Sequence, residues 1–429
     1  MKTAQNRRQF IKTTAHATAA TATAMTAAPF IGRAQSSPSN RIVVGVMGLG
    51  RGMAHVNNAL AAQDVEVGAL CDIDQNRVDR AQESVKKKNW NRAKSVQDFR
   101  RMLDDKDIDA IMIATCNHWH APATILACSA GKHVYVEKPG SHNPHEGEMM
   151  VTAARKNNRV VQMGNQRRSW PAVIEAIQKV RSGAIGKVTY ARSWYNNARG
   201  SIGKGKQVPV PPHLDYDIWQ GPAPARPYKD NLVHYNWHWH WHWGNGELGN
   251  NGIHALDLCR WGLDVDYPLR VTYNGGRFHF DDDQETPDTG TAVFDFGEKG
   301  ASWECSSCLP RRDEKHDFVR FYGTEGTLAI NGSGYRIFDV KGEEVSSQSG
   351  EGGDRSHMQN FFDCIRSGET PNSEIEIGQR STLMCHLGNI AYRIGGMVHF
   401  DPKKKQIIDN PAAEALWARE YRPGWEPVV

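Results

Sequence analysis

An unbroken apolar run, Ile42-Val-Val-Gly-Val-Met47, leads straight into Gly48-Leu49-Gly50, and Asp72 closes the next apolar run, Val65 to Leu70. A strand that ends in glycines and opens a helix admits few architectures. Glycine allows the tight turn and lets a pyrophosphate approach backbone N–H groups at a helix N-terminus, where the macrodipole is positive. Asp72 stands where an adenosine ribose would offer its hydroxyls, and a carboxylate there repels a 2′-phosphate, so the pattern predicts NAD in preference to NADP. In the G-x-G-x-x-G register the third glycine position holds Met53, while Gly52 falls one residue early. An ordinary strand-turn-helix needs such glycines for the turn alone; the strand context and Asp72 favour the nucleotide. The expected contacts at this end are Gly48, Gly50, Arg51 and Asp72.

Upstream, Asn6-Arg7-Arg8-Gln9-Phe10-Ile11-Lys12 precedes a weakly apolar Ala/Thr stretch to Ile31 and the small residues of Gly32-Arg33-Ala34. The segment reads as a twin-arginine export signal spanning 1–34, and its Thr content argues against a stable membrane anchor. A periplasmic or otherwise exported protein is expected. That route carries folded proteins, which suits a chain that takes up its nucleotide before export.

Removal of 1–34 takes five cations and no acid, lowering the formal charge from +4 to −1. The mature chain is therefore not basic, and nucleic acid is not an expected partner. The full sequence's 39% hydrophobic content is ordinary for a globular chain, and the length left after residue 34 exceeds one core, so two domains follow. Eight cysteines in a chain this long make no disulfide scaffold. Cys305-Ser-Ser-Cys308 has redox spacing but lies in a strand with no following helix, so structural thiols are expected and no metal is proposed.

Strands and helices alternate through the first half. Asp109-Ala-Ile-Met-Ile-Ala ends in Thr115-Cys-Asn-His-Trp-His120, a helix runs from Pro122 to Ala130, and His133-Val-Tyr-Val is the next strand. Ligands of such doubly wound sheets lie beyond the carboxyl ends of the strands, where Thr115, Asn117, Glu137 and Lys138 fall. The second half is different: Arg270 to Tyr273, Thr291 to Phe296, Ala301 to Cys305, Phe318 to Tyr322 and Thr327 to Ile330 are short runs rich in Val, Phe and Tyr. Asn274-Gly275 and Gly297-Glu-Lys-Gly300 read as the turns between them, giving a mostly antiparallel open sheet. His357 to Arg366 and Gln379 to Ile394 read as helices.

Glu137-Lys138-Pro139 after a strand, with the glycine turn and Asp72, resembles the glucose-fructose oxidoreductase, inositol dehydrogenase and rhizopine catabolism family (Gfo/Idh/MocA). Thr115 to His120, Gly131 to Pro139, Gly164-Asn-Gln166, Gly183-Ala-Ile-Gly-Lys187, Gly323-Thr-Glu-Gly326 and His386 to Ala391 extend the resemblance over nearly all the mature chain. It implies a Rossmann domain over 35–165 and an antiparallel-sheet substrate and oligomerisation domain over 166–429, whose last long helix returns to the first domain. It also adds His120, Glu137, Lys138 and Gln166 to the expected cofactor contacts and implies a homo-oligomer.

Hydride transfer from a carbinol needs a base for the hydroxyl proton and a cation near the developing alkoxide. The resemblance places Lys138 beside the nicotinamide, where burial next to a positive ring depresses an amine's pKa. Gly244 to His254 resembles the family's G-x-L-x-D-x-G-x-H signature, with His254 at the histidine position and Asn250 where the aspartate stands. An amide is no base, so Asn250 is expected as a hydroxyl ligand. Asp257, three residues after His254, either orients that imidazole or packs. Arg167, Arg168, Tyr195, Asn196 and Arg199 follow strand ends and are candidates for the substrate side, Arg168 and Tyr195 foremost.

Between these motifs Trp and His alternate from Trp237 to Trp243. An extended segment would put the indoles on one face and His238, His240 and His242 on the other. Such a face suits an aromatic plug between domains or, through Trp237, a platform for a sugar ring, and alternate imidazoles also have the spacing of metal ligands. Ahead of it, Pro209 to Pro224 is a proline-rich excursion, an arm for the core or for a neighbouring subunit. The leading expectation is an exported NAD-dependent dehydrogenase of a sugar, glycoside or polyol. A glycosidase using transient oxidation and elimination on a held NAD, and a noncatalytic sugar-binding relative, are the alternatives.

Overall fold

In a computed structural model, which describes residues 40–429, the chain forms two sheets that share a buried core. The export signal read at 1–34 lies outside the described residues. The first sheet has six parallel strands: β1 (Ile42–Met47), β2 (Val65–Cys71), β3 (Lys94–Val96), β4 (Ala110–Ile113), β5 (His133–Val136) and β6 (Val161–Met163). Their order is β3-β2-β1-β4-β5-β6, so the chain reverses direction across the sheet between β1 and β4. Every residue of β1 and of β4 is buried, as expected of strands covered by helices on both faces. Ligand crevices open at such a switch point, beyond the carboxyl ends.

Gly48, at that end of β1, has φ of +88°, and a Cβ built on it would stand 2.4 Å from the carbonyl oxygen of Ala114. Only glycine allows β1 and β4 to end this close together. The helix that follows, Gly52–Ala61, has no acidic residue in its first turn and no side-chain cap, which leaves its leading N–H groups open to an anion.

The second sheet has ten strands: β7 (Val188–Asn196), β8 (Arg270–Gly276), β9 (Thr289–Asp295), β10 (Gly300–Ser306), β11 (Val319–Gly323), β12 (Gly326–Asn331), β13 (Gly334–Asp339), β14 (Glu344–Gln348), β15 (Val398–Asp401) and β16 (Gln406–Ile407). The order is β14-β13-β12-β11-β7-β10-β9-β8-β15-β16, antiparallel except where β7 meets β10. Asn274 and Gly275 do not form a turn; both lie inside β8, paired with Thr291 and Gly290. A Cβ on Gly275 would lie 2.3 Å from the Thr289 carbonyl, so this glycine serves close strand approach. The expected turn at Gly297 is present, with φ of +90°.

Helices Ile253–Leu263 and Ile375–Ile394 join the halves. The first lies against β7, β10 and β11. The second reaches back to the β5 exit, where the Thr382 hydroxyl accepts from Gly140 N–H at 3.4 Å and His386 pairs with Ser141 Oγ at 3.0 Å. A buried network fixes their angle. Arg168 donates three hydrogen bonds of 2.8 to 3.0 Å to Asp257, while Ser381 Oγ donates to Asp257 at 2.6 Å and accepts from Arg260 Nε at 2.9 Å. All eight cysteines are buried free thiols.

The Trp/His segment is not extended. Asn236–Trp239 is a turn of 3₁₀ helix, and successive turns carry the chain on to Trp243. Because a 3₁₀ turn rotates each residue by about a third of a circle, indoles and imidazoles do not separate onto two faces. His238 instead stacks on Trp237, ring centroids 3.6 Å apart. Trp237 and Trp243 join Leu214, Tyr216 and Trp219 in an apolar cluster. The proline-rich arm wraps its own first domain: Leu214 bridges to Asp74, Gln75 N–H donates to the His213 carbonyl at 3.0 Å, and Asp215 N–H donates to Ile73 at 2.9 Å.

Candidate active site

A cavity of about 500 Å³ runs along the carboxyl ends of β1, β2, β4 and β5. Gly48, Gly50, Arg51, Asp72, Thr115, Asn117, His120, Glu137, Lys138 and Trp237 all line it. At one end Asp72 is anchored, Oδ2 accepting from Leu49 N–H at 2.7 Å and Oδ1 from Asp74 N–H at 3.1 Å. Burial lifts its carboxyl above the ordinary range, against those two donors and Arg77. Arg77 Nη1 stands 3.9 Å from Asp72, and Phe99, Ile218, Trp219 and His234 complete this end. None of these five was anticipated from sequence. His234 Nε2 lies 2.8 Å from Asp74 Oδ2, so the segment that follows the arm also reaches this end through a polar contact.

The other end is built from charge. Glu137 Oε1 accepts from Arg51 Nε at 3.1 Å, and His55 Nε2 lies 3.1 Å from the same oxygen. Arg51 also donates to Asp354 at 2.7 Å. Burial opposes the Glu137 charge, but His55, Arg51 and Lys138 outweigh it and hold the carboxyl far below its ordinary range. His55 was missed in the sequence, although it sits four residues after Arg51, one turn along the same helix.

Lys138 Nζ donates to both the backbone carbonyl and the side-chain Oδ1 of Asn250, at 2.8 and 3.0 Å. Local backbone explains how one residue offers two acceptors. Leu248–Gly252 is a π-helical turn, and so wide a turn leaves carbonyls free of the usual ladder. Burial pushes the Lys138 amine below the ordinary lysine value, with Glu137 and Glu247 opposing that shift. His254, on the first turn of the following helix, is pushed well below its ordinary value by burial and then by the charges of Lys138 and Arg167.

His120 lines the cavity but is already engaged, with Nδ1 2.6 Å from the Pro139 carbonyl and Nε2 3.1 Å from that of Thr115. Its evident role is to hold the loop after β5. Gln166 lies outside the cavity lining and donates to the Tyr135 hydroxyl at 3.4 Å. Tyr195 is bound into a cluster in which Arg199 donates to Tyr195 at 3.1 Å, to Tyr235 at 2.9 Å and to Glu247. Arg168 lies outside the cavity lining. Its guanidinium is 5% exposed and paired through Nε and Nη2 with Asp257, so it braces the helix that carries His254. Asp257 is committed to that pair as well.

A six-stranded doubly wound domain with a glycine turn, an acid at the second strand and a lysine after the fifth defines a nucleotide-dependent oxidoreductase fold. The comparisons agree and give the family. Residues 41–165 match the model for "Oxidoreductase family, NAD-binding Rossmann fold" and residues 184–427 that for "Oxidoreductase family, C-terminal alpha/beta domain". The chain belongs to the Gfo/Idh/MocA oxidoreductase family. Among curated relatives, a levoglucosan dehydrogenase of Pseudarthrobacter phenanthrenivorans is 38% identical over 105 residues, 23% of this chain and 27% of that protein. An alpha-N-acetylgalactosaminidase of Shewanella oneidensis is 29% identical over 165 residues, 37% of this chain and 36% of that one. The matched segment thus spans about a quarter to a third of these relatives. Among solved structures, the aldose-aldose oxidoreductase of Caulobacter crescentus complexed with glycerol superposes with a TM-score of 0.66 at 20% identity, covering 84% of this chain and 100% of that one. Levoglucosan dehydrogenase in complex with NADH gives 0.65 at 19% identity, covering 84% and 99%. At such identity these two share the fold.

Proposed function

We propose that the protein is an exported, NAD-dependent oxidoreductase that moves hydride between a hydroxyl-bearing carbon of a sugar, glycoside or polyol and nicotinamide. The observation that carries it is the contact to Asn250 made by Lys138, which lines the nucleotide cavity. A neutral amine has two N–H donors. Asn250 occupies both, which leaves the lone pair aimed away from Asn250 and available for a hydroxyl proton. Bound NAD supplies the hydride acceptor. His254 orients the hydroxyl, while Trp237 and His238 offer a stacked wall for a sugar ring. The dehydrogenase and aldose oxidoreductase relatives support the substrate class.

Asp72 supports NAD over NADP, and Arg77 beside it supplies a cation that the removal of Asp72 would free for a 2′-phosphate. Export is supported by the twin-arginine pattern, and the family resemblance supports a homo-oligomer. One observation favours a second reading, a glycosidase that oxidises only transiently: the match to the galactosaminidase. A single experiment separates them. The nucleotide released on denaturing purified protein is identified, and a glycoside panel is assayed for reduced nicotinamide and for freed aglycone together. Reduced nicotinamide without cleavage is the expected result; cleavage without net reduction would replace it with the glycosidase, and absence of any nucleotide would end both.

A further inference from the structure

A second cavity, of about 400 Å³, lies on the far side of the loop that carries Lys138, enclosed by the start of helix Pro144–Lys156, the segment 241–245, helix Ile375–Ile394 and the C-terminal tail. Three guanidinium groups line it, Arg226, Arg393 and Arg419, against a single carboxylate, Glu420. None of the three forms an ion pair among the described residues. Arg226 and Arg393 rest on the faces of Trp243 and Trp241, 5.7 and 5.4 Å from the ring centroids, and Arg419 Nη1 lies 3.2 Å from His142 Nδ1. Burial pushes Arg393 and Arg419 below the ordinary guanidinium range, with only Glu285 acting on the former and Glu146 and Tyr421 on the latter in the opposite sense. Arg226 and Arg393 reach solvent and Arg419 is half-buried, so an anion entering the cavity would meet three guanidinium groups that form no ion pair among the described residues.

One buried amide in the same lining lacks a partner. Asn245 is 5% exposed, and its Oδ1 is an acceptor with no donor among the described residues. Asn245 Nδ2 donates to the His142 carbonyl at 2.9 Å, which fixes the amide so that Oδ1 is the free atom. A buried polar atom left unmet is unfavourable, so a ligand offering both an anion and a hydroxyl would satisfy what the protein leaves open. The volume lies within the range of small-molecule sites.

We propose that this cavity binds a small hydroxylated anion of sugar size, a sugar carboxylate or a sugar phosphate, on Arg226, Arg393 and Arg419. The site is separate from the nucleotide cavity and does not depend on the oxidoreductase reading. Calorimetric titration at constant ionic strength tests it with gluconate, glucose 6-phosphate and glucose. Saturable binding of one of the anions, at least about tenfold tighter than glucose, is expected, and which anion binds distinguishes carboxylate from phosphate. Arg393→Gln and Arg419→Gln should each weaken that binding about tenfold or more, with nucleotide affinity unchanged as proof of folding, and Lys138→Ala should leave it intact. Glucose binding as tightly as the anions, no saturable binding, or loss in Lys138→Ala with retention in Arg393→Gln would overturn the proposal.

Discussion

At the Glu137 end of the nucleotide cavity, side chains from the core hold one another in place: Glu137 between Arg51 and His55, Lys138 on Asn250, and the Arg168 to Asp257 pair bracing the helix of His254. The Asp72 end is assembled differently. Backbone donors fix its one carboxylate, and the rest of the wall combines Arg77 and Phe99 of the first domain with Ile218 and Trp219 of the proline-rich arm and His234 beyond it. The contrast teaches where rigidity is needed. Proton and hydride movement tolerates little displacement, and the proposed reactive end is held by paired charges around the buried Glu137. Recognition of a ribose needs only one placed acid and a cover. The reactive end should therefore respond to substitution in rate, and the far end in nucleotide choice and affinity.

The largest expected effect is at the reactive end. Lys138→Ala should lower turnover roughly 100- to 10,000-fold while nucleotide stays bound, measured by steady-state kinetics beside nucleotide titration. Near-normal turnover would remove Lys138 from the chemistry. Next, Asp72→Ser should shift the NAD-to-NADP preference by about 10- to 100-fold, the worth of a charge-assisted hydrogen bond, with turnover at saturating cofactor little altered. An unchanged preference would show that Arg77 and the arm, and not the acid, set the choice.

A smaller effect is read as a displaced pH profile. Lys138 acts deprotonated, so kcat/KM rises as pH climbs through its depressed pKa. Glu137 raises that pKa, hence Glu137→Gln lowers it further and should move the acid limb toward lower pH. A shift the other way would show that Lys138 does not titrate on that limb. Least of all, His234→Ala removes a partly exposed contact to Asp74 and should weaken NAD by less than about fivefold. A rate defect there would break the division between the two ends.

Much of this is legible in the amino-acid sequence alone. The glycine turn with Asp72 and Glu137-Lys138-Pro139 placed one wall of the cavity, because contacts made by consecutive residues at strand ends are written locally. Asn274-Gly275 misled because the same dipeptide that favours a hairpin also suits two strands pressed together, and only strand neighbours tell which. The partner of Arg168 was illegible for a related reason. Nothing in Gln166-Arg-Arg-Ser169 says which arginine turns inward, since Asp257 is 89 residues away. His55, Arg77 and His234 went unnoticed because their partners, too, belong to other elements.

Periodicity, turn glycines and the residues at strand ends determined the α/β architecture and the wall of the cavity that holds Asp72, each a property of short stretches of chain. Only the tertiary structure decided that Asn250 holds Lys138, that Arg168 braces, that the Trp/His run coils and that three arginines surround a second cavity. Those outcomes depend on burial and on charges brought together from distant positions, and neither exists until the chain has folded.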